Sequence, residues 1–520
     1  MKIAITQMNT TIGDFDGNIQ KMLHFQDEAL EKSCRLIIYP YNSLTGFPLD
    51  GLVQHNDFIQ MTQKKIDEFV SKSKMDSVVI VPSPVKAKDD SIAILSHIVL
   101  VSDNQFKILG VQPLSQNGGF FPVEYMGYTF IIALNSQFNG KGEIKDVDVA
   151  SEICALPSFA KVSSSPARGD ISRGAYIASE LDSYFAHVNM VGCNDSLISG
   201  GESYACNPDG TFLAAASIDK EEMFVMSLDR THIDSMELKD FKLDNNEILW
   251  RHLCLSIRDF VQKSGFSDVC LGISGGLDSA VVAALAADSL GSQHVHGILL
   301  PGPYTSEESV EDALKLCENL SIKTLNFNIN STFDTTLKAL GNIKQLTEEN
   351  LQARTRALFI MAASNEYGWF VLNTTNKSEA AMGFSTLYGD TIGSFAPLAS
   401  LYKTDVYVLA RYRAEISKSI PENIINKPPS SELYEGALDC DRLPDYDILD
   451  KILISHLEAG EGLDLIAKKG FDKDLVKSIL TSVSKSEFKR RQEPISPMLG
   501  NIHLNTGRAW PITNKWSYFE

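Results

Sequence analysis

The stretch Val269-Cys270-Leu271-Gly272-Ile273-Ser274-Gly275-Gly276-Leu277-Asp278-Ser279-Ala280-Val281-Val282-Ala283-Ala284-Leu285-Ala286-Ala287 reads as a strand, a loop and a helix. Its short apolar run suits a buried parallel strand, and the alanine-rich segment that follows has helical composition. Gly275 and Gly276 remove the side chains that would keep a phosphate away from backbone N–H groups. The new helix brings its positive end to the same spot, so an anion is expected there.

The loop lacks the Gly-Lys-Ser/Thr ending with which mononucleotide P-loops reach terminal phosphates, and so suits a departing pyrophosphate better. A plain glycine turn is the alternative, and the two serines and the aspartate speak against it. Ser274-Gly275-Gly276-Leu277-Asp278-Ser279 after a strand resembles the signature of the ATP pyrophosphatases, which adenylate a substrate and release pyrophosphate. That resemblance implies ATP held by Gly272, Ser274, Gly275, Gly276, Asp278 and Ser279, with Mg²⁺ on Asp278.

At 520 residues the chain should hold at least two domains, since single cores stop growing at about 250 to 300 residues. Hydrophobic content of 44% and charged content of 22% are those of an ordinary globular protein. A formal net charge of −19 argues against a nucleic-acid partner, which would select a basic surface. Anionic ligands would instead need a local basic cluster. The eight cysteines are scattered without a CxxC pair, which reads as reduced, buried thiols. No apolar run approaches the roughly 18 residues of a membrane span, and the start Met1-Lys2-Ile3-Ala4-Ile5-Thr6-Gln7 reads as a strand. We expect a cytoplasmic protein without membrane association.

Residues 1–235 alternate short apolar strands, such as Arg35-Leu36-Ile37-Ile38-Tyr39, with helical segments, an α/β pattern. Met1 to Asp14, Leu44-Thr45-Gly46-Phe47-Pro48 and Val191-Gly192-Cys193-Asn194-Asp195 resemble the nitrilase-like glutaminase domain of glutamine-dependent NAD synthetases. The family releases ammonia with a Glu-Lys-Cys triad, and this chain departs from it three times. Tyr41 stands where the glutamate should follow Pro40, and Gly110-Val111-Gln112-Pro113-Leu114-Ser115 offers no lysine. Leu134 occupies the nucleophile position. Tyrosine is no carboxylate base near neutral pH. Cys154 is the one displaced nucleophile to consider, although a lone cysteine beside apolar residues is more often core. This domain is expected to be a pseudo-glutaminase.

Residues 236–248 read as a polar linker, and an amphipathic helix then leads from Leu249 into a second domain, 249–520. Strand and helix alternate there as in a Rossmann-like parallel sheet, with ligands at the carboxyl ends of the strands. The likeness to NAD synthetases continues through four stretches. In Thr347 to Arg356 it implies Asn350 and Arg354 at a deamido-NAD site. In Leu372 to Glu379 it implies Thr374 on ATP and Glu379 on magnesium and near deamido-NAD. Tyr388, Gly389 and Asp390 join that site, while Lys403 meets the triphosphate as a catalytic cation. Ser430 adds an ATP contact, and the tribasic Lys489-Arg490-Arg491 looks like the local basic cluster a doubly phosphorylated substrate needs, with Lys489 on deamido-NAD. Solvated, capped helices are the plainer reading of these charges.

The expected activity is synthesis of NAD from deamido-NAD, ATP and ammonia, with Mg²⁺ and an adenylated intermediate. Nitrogen would come from free ammonia or from a separate glutaminase, and the resemblance implies a homo-oligomer, at least a dimer. The alternatives are a rearranged but working glutaminase site, amidation of another acid, and a noncatalytic nucleotide-binding regulator.

Overall fold

Alternation along the strands sorts residues Met1–Ile248, the first of two compact units, into layers. A computed structural model describes residues 1–86, 92–103, 105–113, 119–134, 151–158, 168–228, 244–499, 504 and 510–513. Its strands are β1 (Lys2–Gln7), β2 (Leu36–Ile38), β3 (Asp76–Lys86), β4 (Ile92–Ser102), β5 (Gln105–Pro113), β6 (Gly119–Tyr125) and β7 (Tyr128–Leu134). They continue with β8 (Ile153–Ser158), β9 (Tyr184–Asn189), β10 (Val191–Asn194), β11 (Leu197–Gly200), β12 (Tyr204–Cys206), β13 (Phe212–Ala215) and β14 (Glu222–Ser227). Among the described residues, one sheet runs β14-β1-β2-β3-β4-β5 and another β13-β12-β9-β8-β7-β6.

Successive side chains of a strand point to opposite faces, and the two cores follow that period. Ile3, Ile5, Leu36, Ile38, Val78 and Ile80 meet Phe130, Ile132, Ile153, Ala155, Tyr184 and Ala186 in one buried cluster between the sheets. The residues between them, Ala4, Ile37 and Val79, pack instead on helices α1 (Phe15–Glu31) and α2 (Asn56–Lys72) through Ile19, Met22, Ile66 and Phe69. On the far side of the other sheet, Ile131, Cys154 and Phe185 pack on Ile177 and Ala178 of α3 (Arg168–Leu181). The result is the expected α/β sandwich, helix, sheet, sheet, helix.

The second unit, Leu249–Glu520, carries a parallel sheet of β15 (Val269–Gly272), β16 (Val295–Leu299), β17 (Lys323–Asn326) and β18 (Phe370–Val371), in the order β17-β16-β15-β18. Strand order reverses beside β15, and the crevice outside the carboxyl ends of the strands at such a point is where open α/β sheets bind ligands. Helix α4 (Asn245–Lys263) begins inside the stretch read as a linker. The carboxylate of Asp244 accepts from the Asn246 N–H at 2.7 Å and so starts the helix earlier than apolar spacing suggests. Positions 229–243 lie outside the described residues. After β15 come α5 (Leu277–Leu290), α6 (Glu307–Leu320), α7 (Asn330–Leu340), α8 (Gln345–Tyr367), α9 (Lys377–Met382) and α10 (Lys403–Ser417). The alanine-rich α5 is buried nearly all round, from Ala280 to Ala286. Small side chains are what let it lie close to its neighbours.

All eight cysteines are free, and Cys440 is the exposed one. No helix among the described residues is long and apolar enough to cross a membrane.

Candidate functional site

The loop between β15 and α5 is braced by its own serines. Ser274 Oγ accepts from the Gly276 N–H at 3.1 Å, Ser279 Oγ accepts from the Ser274 N–H at 3.3 Å, and the two hydroxyls lie 3.1 Å apart. Gly275 has φ +75°, and a Cβ on it would stand 2.2 Å from the Ser309 carbonyl oxygen. Glycine is required there for conformation and for space alike. Gly276 caps α5 without a side-chain hydrogen bond, leaving the first-turn N–H groups to whatever anion arrives.

Asp278, in that first turn, is committed on both oxygens. Oδ1 accepts from Asn376 Nδ2 at 3.0 Å, and Oδ2 is ion-paired with Lys403 Nζ. The same ammonium lies 3.4 Å from Glu379 Oε1. Lys403 enters as the first residue of α10, its backbone N–H donating to Ser378 Oγ at 2.9 Å, and its side chain is 3% exposed. Burial works against its charge, but Asp278 and Glu379 outweigh burial and raise its pKa. Burial pushes the Glu379 carboxyl up, against the pull of Lys403, with Asp278 and Asp439 pushing the same way. Asp439 is itself raised by burial and accepts from the Tyr446 hydroxyl at 3.0 Å.

Asn376, between Thr374 and Glu379, has no role at the site implied by the sequence. It caps α9, its Oδ1 accepting from the Glu379 N–H at 3.0 Å, and its amide orients Asp278. The signal lay in Asn376 followed three positions on by Glu379, a helix-start pattern. That the spare amide would reach Asp278, 98 positions away, is a tertiary fact.

These groups open into a cleft of about 690 Å³ at the carboxyl ends of the strands. Gly272, Ser274, Gly276, Asp278, Ser279, Thr374, Glu379, Gly389, Asp390, Lys403 and Ser430 line it. Arg356, unassigned from sequence, lines it too, donating from Nε to the Leu300 carbonyl at 3.1 Å. A Cβ at Gly302 would stand 2.5 Å from Arg356 Nη2. Glycine there makes room for the guanidinium.

Asn350, Arg354, Tyr388 and Lys489 are not among the residues lining that cleft. They brace the loop beside it. Asn350 Oδ1 accepts from Thr386 Oγ1 at 2.8 Å, Arg354 Nε donates to the Leu387 carbonyl at 3.1 Å, and Lys489 Nζ donates to the carbonyls of Gly383 and Ser385 at 2.8 and 2.6 Å. Asp390 accepts from the Thr386 N–H at 2.7 Å, and burial pushes its carboxyl up to about 6 against that bond and the pull of Lys489 and Arg354. Tyr388, at φ +63° and 68% exposed, donates to Gln492 Oε1 at 2.6 Å.

The tribasic reading is corrected. Arg490 is 1% exposed, pairs with Glu487 Oε2 at 2.9 Å and donates to the Ala381 and Val483 carbonyls at 2.8 and 2.5 Å. Arg491 pairs with the other Glu487 oxygen at 2.8 Å. Both cations are taken up by Glu487, because a buried carboxylate needs neutralising. Arg490→Ala is therefore expected to cost about 3–5 kcal/mol of stability, whereas the half-exposed Arg491→Ala should cost under about 1 kcal/mol. Denaturant midpoints of the two variants check this, and equal small losses would count against it.

In the first unit Tyr41 is 5% exposed and belongs to the core between the sheets, its ring set edge-on to Phe47 at 5.7 Å. Cys154 faces the other side of its sheet, onto α3, and burial pushes its thiol up to about 12. A thiol so held is a poor nucleophile. Leu134 ends β7, and its side chain, like positions 114 and 115, lies outside the described residues.

Residues 249–493 match the family model described as NAD synthase, and residues 2–113 match that of carbon-nitrogen hydrolase. The chain is 34% identical to the glutamine-dependent NAD(+) synthetase of Acinetobacter baylyi, over 99% of this chain and 98% of that protein. To its counterpart in Thermotoga maritima it is 32% identical, over 99% of each. Among solved structures, the glutamine-dependent NAD+ synthetase from Acinetobacter baumannii in complex with ADP superposes with a TM-score of 0.73 at 29% identity, covering 100% of this chain and 99% of that one. The enzyme from Cytophaga hutchinsonii shares the fold with a TM-score of 0.81 at 15% identity, over 99% and 98%.

Proposed function

The chain belongs to the family of glutamine-dependent NAD(+) synthetases and is a ligase of NAD synthesis; from that premise we propose that its second unit amidates deamido-NAD with free ammonia while its first unit releases none. The observation that carries the ligase half is Asp278, Lys403 and Glu379 meeting at a serine-braced phosphate loop. A carboxylate of nicotinate is a poor electrophile. One of its oxygens bonds to the α-phosphorus of ATP, the α–β phosphoanhydride bond breaks, and pyrophosphate leaves. Ammonia then bonds to the acyl carbon, the C–O bond to AMP breaks, and a proton lost from nitrogen leaves the amide.

The residues assigned here position and neutralise; no side-chain nucleophile is needed. N–H groups at the start of α5 face the departing phosphates, and Lys403 supplies a positive charge beside them. Asp278 and Glu379 supply hard oxygen donors suited to Mg²⁺, which typically takes one or two carboxylates and completes its shell with substrate phosphates. Among the described residues no group of three or more His, Cys, Asp or Glu is arranged to hold a metal. When bound, the ion would neutralise charge developing on the leaving pyrophosphate. On this reading Asn350, Arg354, Tyr388, Gly389, Asp390 and Lys489 shape the wall against which deamido-NAD lies.

Free ammonia as donor rests on Tyr41, an aromatic packed where a carboxylate base is needed. A separate glutaminase would serve the same site. The rival reading, a rearranged glutaminase centred on Cys154, has the relatives' glutamine dependence in its favour and the thiol's burial against it. One assay tests the ligase half: AMP formation from ATP, deamido-NAD and ammonium. No AMP above a deamido-NAD-free control would leave a nucleotide-binding regulator as the better description.

A further inference from the structure

The buried charges around Asp278 do not balance as a waiting metal site should. A two-carboxylate site open to a divalent ion presents free oxygens, yet both Asp278 oxygens are taken, one by the Asn376 amide at 3.0 Å and one by Lys403. Glu379 Oε1 faces the same ammonium at 3.4 Å. Lys403 thus lies between the two oxygens that a bridging cation would use. Its aliphatic stem is fixed by burial and its backbone by Ser378, and its ammonium lies 5.4 Å from the centre of the Tyr446 ring. Little but Nζ is left to move.

We propose that Lys403 is the resident counter-cation of Asp278 and Glu379 before substrate binds, holding the place of the divalent ion and yielding it only when a nucleotide triphosphate arrives. The inference rests on the metal assignment of the proposed function. Two largely buried carboxylates facing each other without a cation would be costly. The lysine removes that cost at every moment before substrate binds. A lone divalent ion must then displace an ammonium already held by two carboxylates, so free metal binds weakly. A triphosphate changes the exchange. Its oxygens offer the ammonium a new partner a short swing away, and the freed carboxylates together with the phosphates complete the metal's shell. Metal and nucleotide therefore enter as one, and the carboxylates never hold an ion in a geometry set without the phosphates.

Manganese, a paramagnetic probe of the same ligand class, reads this without turnover. In wild-type protein, Mn²⁺ alone is expected to give no bound EPR signal sensitive to Glu379→Gln, while Mn²⁺ with ATP gives one. In Lys403→Met, Mn²⁺ alone should bind at least about tenfold more tightly than in wild type, about 1.4 kcal/mol, and should raise the melting temperature of the variant but not of wild type. Wild-type protein that binds Mn²⁺ alone in a Glu379-dependent way overturns the proposal even if Lys403→Met fails to fold. So does a Lys403→Met protein with unchanged Mn²⁺ affinity. Absence of AMP formation, with these Mn²⁺ results as expected, would remove the proposed reaction and leave the exchange of cations standing.

Discussion

Asp278→Ala is expected to stop adenylation, with deamido-NAD-dependent pyrophosphate release falling on the order of 10³-fold or more. The size follows from how many functions meet on one carboxylate. Asp278 holds Asn376 on Oδ1 and Lys403 on Oδ2, and on the proposed reading it is half of the metal's protein ligand set. Alanine removes the ligand and leaves Lys403 leaning on Glu379 alone. Asp278→Asn separates the two losses. It keeps the shape and one accepting oxygen but loses the charge and turns an amide N–H toward one of the two donors, so stability should recover only in part while pyrophosphate release does not recover at all. A fall of less than about tenfold in Asp278→Ala, measured as phosphate after coupling to a pyrophosphatase, would move the reaction away from this loop.

Ammonium should support turnover while glutamine supports a rate roughly 10²–10⁴-fold lower, the usual worth of a positioned general base. Tyr41→Glu by itself should not restore glutamine use. Leucine stands at position 134, where the proposed reading places the nucleophile. Cys154 lies one residue out of phase with Ile153 and Ala155, which face the inter-sheet core with Tyr41, so it points to α3 instead. A strand's period of two places position 154 on the wrong side of the sheet for any base at 41. Comparing NAD formation with ammonium and with glutamine in wild type and in Cys154→Ala decides it. Comparable wild-type rates with the two donors, or a glutamine-dependent rate lost in Cys154→Ala, would establish a rearranged glutaminase.

Much of the architecture was legible from local pattern. Strand β15, its glycine loop and helix α5 follow from an apolar run, two glycines and an alanine-rich segment. The sandwich of the first unit follows from alternating apolar residues, and the cores that sort Ile3 and Ile5 from Ala4 obey that alternation. The basic run 489–491 misled because charge density says nothing of direction. Only the fold turns Arg490 and Arg491 onto Glu487 and leaves Lys489 on the Gly383 loop.

By itself, the order of residues determined which side chains are on offer: a glycine loop followed by Asp278, and a first unit with tyrosine at 41 and leucine at 134. Those are matters of residue type, periodicity and motif, which act over a few positions and are written along the chain. Tertiary structure alone decided which charges meet. Lys403 reaches Asp278 across 125 positions, and Asn376 reaches it across 98, because parallel strands bring distant loops to one end of the sheet. Burial at that end then makes a single ammonium answer for two carboxylates.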